Sequence, residues 1–163
     1  MATFYTTSGV LGVDIDNVET VSIPQHALGT CVPGNDGTEW MFVQASTAIT
    51  VNMTVGIDEN FAARPITTAD AQDGWNIGFA QVAFAANNFG WLAIKGSGAN
   101  IDLRIAVNCA ADVALYTSAT AGILDDTSTS FEQIKGIVAT ESGTGTSVST
   151  VGGILTFPRA ATF

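Results

Sequence analysis

Short stretches of β-branched and aromatic residues recur about every ten residues along this chain, each closed off by Gly, Asn, Asp or Pro. That spacing leaves little room for helices and predicts a sandwich or barrel of short strands. The clearest stretch is 48–57, where Ile49, Val51, Met53, Val55 and Ile57 alternate with Thr50, Asn52, Thr54 and Gly56. Successive side chains of an extended chain point to opposite faces, so the alternation predicts one half-buried strand. Residues 38–44 predict another, entered from Pro33-Gly34-Asn35-Asp36-Gly37. Asn, Asp and Gly there suit the positive φ of a tight reversal.

Segments 76–84, 91–95 and 100–107 are divided by Asn87-Asn88-Phe89-Gly90 and by Gly96-Ser97-Gly98, and they read as a β-meander. Further on, 114–117 with 122–124 resembles a short hairpin, and 134–140 with 148–157 resembles two strands around Gly143-Thr144-Gly145-Thr146. Residues 65–74 read as a polar connection. One short helix is expected over 126–135, capped by Asp126, Thr127 or Ser128. Residues 1–25 are Thr-rich with weak periodicity, as in an extended N-terminal arm that gains order from contacts elsewhere. The expected architecture is mainly β: a single compact β-sandwich or β-barrel-like domain over 26–163 behind an arm over 1–25, with at most one or two short helices.

A length of 163 residues suits one domain, and a hydrophobic share of 47% is enough for a real core. Charged residues are only 12%, so the surface must be built from Thr, Ser, Asn, Gln and Gly. Neutral surfaces suit proteins packed against partners, because few charges need desolvating at a contact. Acids outnumber bases 15 to 5, for a net charge of −10. The bases Arg64, Lys95, Arg104, Lys135 and Arg159 are scattered singly along the chain. Phosphate backbones and anionic membranes both require clustered cations, so neither nucleic acid nor membrane is an expected partner. The longest apolar run, 77–86, is interrupted by Gln81 and falls far short of the ~20 residues of a spanning helix. The first eight residues lack the basic and apolar parts of a secretion signal, which predicts folding in a reducing cytoplasm. Cys31 and Cys109 are then read as free thiols in core-like settings, with a disulfide as the lesser alternative.

The residue types that carry catalysis are present without their companions. His26 is the sole histidine, which excludes a histidine-rich metal site and offers no triad. Asp14 and Asp16 share one side of an extended chain, with Glu19 nearby. A calcium loop starting at Asp14 would need Gly sixth and Glu twelfth, where this chain has Glu19 and Gln25. A solvated acidic arm is the reading that remains. Asp125-Asp126 reads as a turn and helix start. The glycines near Gly96 and Gly143 lack any phosphate-loop continuation, no Gly-x-Ser-x-Gly elbow occurs, and Cys31 has no base beside it in sequence. The reading is of a chain that is not an enzyme and takes no metal or cofactor. Trp40 and Trp91 sit within apolar strands and are expected in a core or interface, whereas Trp75, after Asp73-Gly74, is the candidate contact residue.

The ordered series Gly37-Thr38-Glu39-Trp40-Met41-Phe42-Val43-Gln44-Ala45, Ile77-Gly78-Phe79-Ala80-Gln81 and Phe89-Gly90-Trp91-Leu92-Ala93-Ile94-Lys95-Gly96 resembles small structural proteins of tailed-phage heads. The continuation Ala114-Leu115-Tyr116-Thr117-Ser118-Ala119-Thr120-Ala121-Gly122-Ile123-Leu124 and Lys135-Gly136-Ile137-Val138-Ala139 is similar to the same group, over roughly 37–158. The resemblance implies a β-tulip-like capsid decoration, or cement, protein. Such a protein is made in the host cytoplasm and seated on the outer surface of the virion. It would stabilise the assembled shell and have no enzymatic activity. Its implied partners are the major capsid protein and copies of itself, as a homotrimer. An arm that adds a strand to a partner's sheet would place capsid or subunit contacts at Thr3, Phe4, Tyr5, Val10 and Leu11, with Trp75 as a further contact. The alternative is a carbohydrate- or receptor-binding β-domain of a phage fibre or adhesin, with Trp75 aligned with Phe61 or Phe89.

Overall fold

The computed structural model describes residues 12–34, 36–97 and 101–161. Their regular structure is almost wholly strand: β1 (Cys31–Pro33), β2 (Glu39–Ala45), β3 (Thr54–Ile57), β4 (Ala62–Pro65), β5 (Asn76–Ala80), β6 (Phe89–Gly96), β7 (Asp102–Ile105), β8 (Leu115–Thr117), β9 (Leu124–Asp125), β10 (Gln133–Ala139) and β11 (Ser149–Ala160). One short helix, α1 (Thr68–Gln72), lies between β4 and β5.

The strands form one branched sheet rather than a barrel. Its order is β1-β2-β4-β3-β5-β6-β11-β10-β8-β9-β7, with further pairings β2–β6, β5–β11 and β11–β7. These extra pairings fold the sheet back in two halves. Strands β2, β4, β3, β5 and β6 pair in one circuit, and β11, β10, β8, β9 and β7 in another. The long strand β11 joins them, with Leu155 opposite Gly96, Thr156 opposite Lys95, and Arg159 opposite Asn76.

Strand alternation distributes the core between two clusters. On β2, Trp40 and Phe42 enter the larger cluster and Val43 and Ala45 the smaller one. On β6, Trp91 and Ala93 face the larger and Leu92 the smaller. A strand buried on both faces reads as a continuous apolar run, as Phe89 to Ile94 does. Phe42 and Trp91 pack with ring centroids 5.0 Å apart, and His26 meets both edge-on at 5.3 and 5.2 Å. Each such buried aromatic contributes on the order of 2–3 kcal/mol of transfer free energy.

Several sequence expectations are corrected. The stretch 48–57 is not one strand: Ile49 makes an isolated bridge to Phe84, Asn52 turns the chain at φ +63°, and only 54–57 is extended. The 76–107 segments do not form a meander, because β11 lies beside β6 where β7 would have been. No helix forms over 126–135. Asp126 turns its carboxylate to the Ala110 N–H at 2.9 Å, and the Glu132 N–H is taken by the Thr117 hydroxyl at 3.1 Å. The helix lies instead in the supposed polar connection, where Thr67 and Asp70 form a reciprocal capping box. Cys31 is exposed on the edge strand β1 rather than in a core-like setting, whereas Cys109 is buried, and both are free.

Of the expected arm, the stretch 13–19 makes contacts with this chain's own sheet, whereas Val21 and Ile23 are exposed. Glu19 and Phe89 exchange both backbone hydrogen bonds, at 2.8 and 2.9 Å, and Val13 and Ile15 rest on the larger core. Thr3, Phe4, Tyr5, Val10 and Leu11 lie outside the described residues.

Candidate functional site

The register of β10 on β11 places Lys135 directly opposite Arg159. The next paired residues are Ile137 and Leu155, so two steps along β10 (135 to 137) span four along β11 (159 to 155). This bulge is accommodated by left-handed backbone at Gly136, φ +78°, and at Phe157, φ +49°. Glycine is required at the first of these: a Cβ on Gly136 would lie 2.7 Å from the Thr156 carbonyl oxygen. A phenylalanine in that region is rare, and such conformations carry strain of order 1–3 kcal/mol.

The bulge decides which side chains reach solvent. In a regular strand, exposure alternates; here Thr156 and Phe157 are both exposed, Pro158 is buried and Arg159 is exposed again. Phe157 is 52% exposed and Ile154 46%. Lys95, opposite Thr156, brings its ammonium 5.7 Å from the Phe157 ring centroid. Two depressions, about 330 and 130 Å³ and partly open to solvent, share Lys135 and Arg159 in their walls. Lys95 thus lies over the Phe157 ring, and Lys135 and Arg159 line the same depression as that ring.

Their electrostatic situations differ. Lys95 is paired with Glu39 at 2.8 Å, and Arg64 with Asp70. Among the described residues, Lys135 and Arg159 have no carboxylate partner, and they face each other across the ladder. Like charges directly opposite destabilise a pair. The face offers an ammonium, a guanidinium, the Thr156 hydroxyl and an aromatic ring. Such a set has the donors and the positive charge to hold an anionic group.

The residues singled out by sequence fall elsewhere. Trp75 is only partly exposed, with the Arg64 guanidinium 4.6 Å over its ring, and a Cβ on Gly56 would lie 3.0 Å from its Cε3. Burial works to raise the Asp70 carboxyl, but hydrogen bonds from Arg64 and Thr67 outweigh it and hold the group below the usual carboxylate range. His26 lines a depression of about 300 Å³ with Asp14, Asn17, Glu19, Gln25 and Trp91. Asp14 accepts from the Asp16 N–H at 3.1 Å and Glu19 from the Gln25 N–H at 2.9 Å, so both carboxylates serve local turns.

The fold brings Asp125 and Asp126 beside Cys109, with candidate ligand atoms within 4.8 Å of one another. Burial, then Asp126 and Asp125, push the Cys109 thiol up to about 11. Asp125 accepts from the Asp126 N–H at 2.8 Å, just as Asp126 accepts from Ala110, so both carboxylates already close loops.

Sequence reasoning missed the basic face because its members lie far apart in the chain and meet only through register. One signal was available: a glycine inside a strand pattern, as at Gly136, marks a bulge or a close backbone approach. No protein-family model matches the chain, and no curated protein is significantly similar to it.

Proposed function

We propose that this chain is a non-enzymatic structural protein that docks on other proteins, as a decoration protein on the outer surface of an assembled phage capsid. The observation that carries the docking reading is the exposed face of β11. There Phe157 stands in solvent beside two cations that have no carboxylate partner among the described residues, and Ile154 is exposed further along the strand, on a chain with only 12% charged residues. The capsid comes from the resemblance of 37–158 to phage head proteins. A net charge of −10 favours an outer position, because packaged DNA repels an acidic protein.

In this reading the sheet is a sandwich-like, β-tulip-like body, and its partners are the major capsid protein and further copies of the chain, as a homotrimer. Residues 1–11, with Thr3, Phe4, Tyr5, Val10 and Leu11, add contacts of their own. Modest contacts multiply when several are made at once, and a protein bound only to the assembled lattice stabilises that lattice by mass action. The glycan-binding alternative is less favoured. Arg64 covers the Trp75 ring, and Phe89 is 7% exposed, so neither offers an open stacking platform.

The test compares particles with and without this protein, heated or held at low salt. Earlier release of DNA from particles lacking it supports cementing, and equal resistance overturns it.

A further inference from the structure

We propose that the face formed by Lys135, Arg159, Thr156 and Phe157 is the seat for an acidic segment of a partner protein, one carrying carboxylates next to an apolar side chain. The inference rests on the docking reading above and names the chemistry of the partner.

Charge complementarity carries it. Acids outnumber bases 15 to 5, and yet two bases stand side by side with no acid paired to them among the described residues. Arg64 and Lys95 are both ion-paired, and Arg104 stands apart on β7, opposite Thr150. Among the described residues, Lys135 and Arg159 lack only the carboxylates that a partner would bring. A guanidinium binds a carboxylate through two parallel hydrogen bonds, and an adjacent ammonium strengthens the same contact.

The shape of the face narrows the occupant further. Its depressions stand open to solvent on one side, which suits a polypeptide lying across the surface better than an enclosed small molecule. Exposed Phe157 supplies apolar contact next to the charges. A long polyanion would meet the field of a chain with net charge −10, whereas a short acidic segment can present its carboxylates locally. Strand addition is not the mode here, because β11 is already paired with β10 on one side and with β6, β5 and β7 on the other. Recognition falls to side chains.

The experiment titrates the isotope-labelled full chain with a capped hexapeptide alternating glutamate and leucine, and follows amide resonances. The expected result is perturbation centred on Lys135, Thr156, Phe157 and Arg159, with affinity weakened roughly tenfold by added salt and by the K135Q/R159Q double variant. Phe157→Ala weakens it as well. Perturbation centred elsewhere overturns the proposal, as does equal binding of the peptide with glutamine for glutamate. Displacement by an equal concentration of inorganic phosphate also overturns it, by marking a general anion site. The salt, glutamine-peptide and phosphate arms use the unsubstituted chain, so they stand even if the double variant misfolds. Shell binding by the K135Q/R159Q variant separates this seat from the wider docking reading: full decoration by the variant, with no peptide signal from the unsubstituted chain, sinks the seat alone.

Discussion

Lys135 and Arg159 face each other across the β10–β11 ladder, both exposed, and neither meets a carboxylate among the described residues. The arrangement works against the stability of the isolated chain and is explicable if another molecule completes it. Replacing one partner with an acid separates the two effects. Lys135→Glu creates a cross-strand ion pair with Arg159 and should stabilise the fold by roughly 0.2–1 kcal/mol. Urea unfolding reads that gain, and the acidic-peptide titration should lose its signal in the same variant.

The bulge that exposes Phe157 depends on Gly136. An alanine there meets the Thr156 carbonyl oxygen and must hold φ near +78°. Gly136→Ala is therefore expected to cost about 1–3 kcal/mol, seen as a lower denaturation midpoint. A midpoint unchanged from that of the parent chain would show that the bulge relaxes without penalty.

Asp70 links the helix cap to Arg64, and its carboxyl is held below the usual range in the folded chain. A depressed folded pKa gives stability that is present above the unfolded value of about 3.9 and is lost as pH falls through the folded value. Asp70→Asn should lower stability near neutral pH by on the order of 1 kcal/mol and flatten the dependence below about pH 4. Chemical denaturation at a series of pH values checks both the sign and the window.

The two thiols should differ in reactivity. Cys109 is buried with its thiol pushed up to about 11. Cys31 is exposed as a residue, although partial shielding of its sulfur, then Glu39, raises its thiol too. Thiol titration of the native chain at mildly alkaline pH should label Cys31 alone, and denaturation should release Cys109. Rapid labelling of both in the native state would contradict the placement of Cys109.

The strand-rich class was legible in the sequence because alternation and turn residues are local signals. Residues 38–44 and 148–157 fall within β2 and β11 almost as their patterns predict. Alternation misled at 50–53, where Val51 is 42% exposed and the Thr54 N–H bonds the Gly122 carbonyl at 2.9 Å. Tertiary partners also dismantled the 126–135 helix by drawing Asp126 to Ala110 and Thr117 to Glu132. The helix at Thr68–Gln72 did carry a local mark, the Thr67–Asp70 box, but it is only five residues long and makes no periodic stripe. The basic face had no local mark beyond Gly136. Lys95, Lys135 and Arg159 become neighbours through strand register, which single-sequence patterns do not specify.

The central claim is that this domain binds an assembled protein shell through its surface. The most direct measurement is sedimentation of the purified chain with phage capsids stripped of their outer proteins, alongside the unassembled capsid subunit. The account predicts saturable, stoichiometric binding to the shells, little binding to the free subunit, and weaker binding by the K135Q/R159Q variant. A chain that stays in the supernatant at every concentration, or that binds the free subunit as well as the shell, would contradict it.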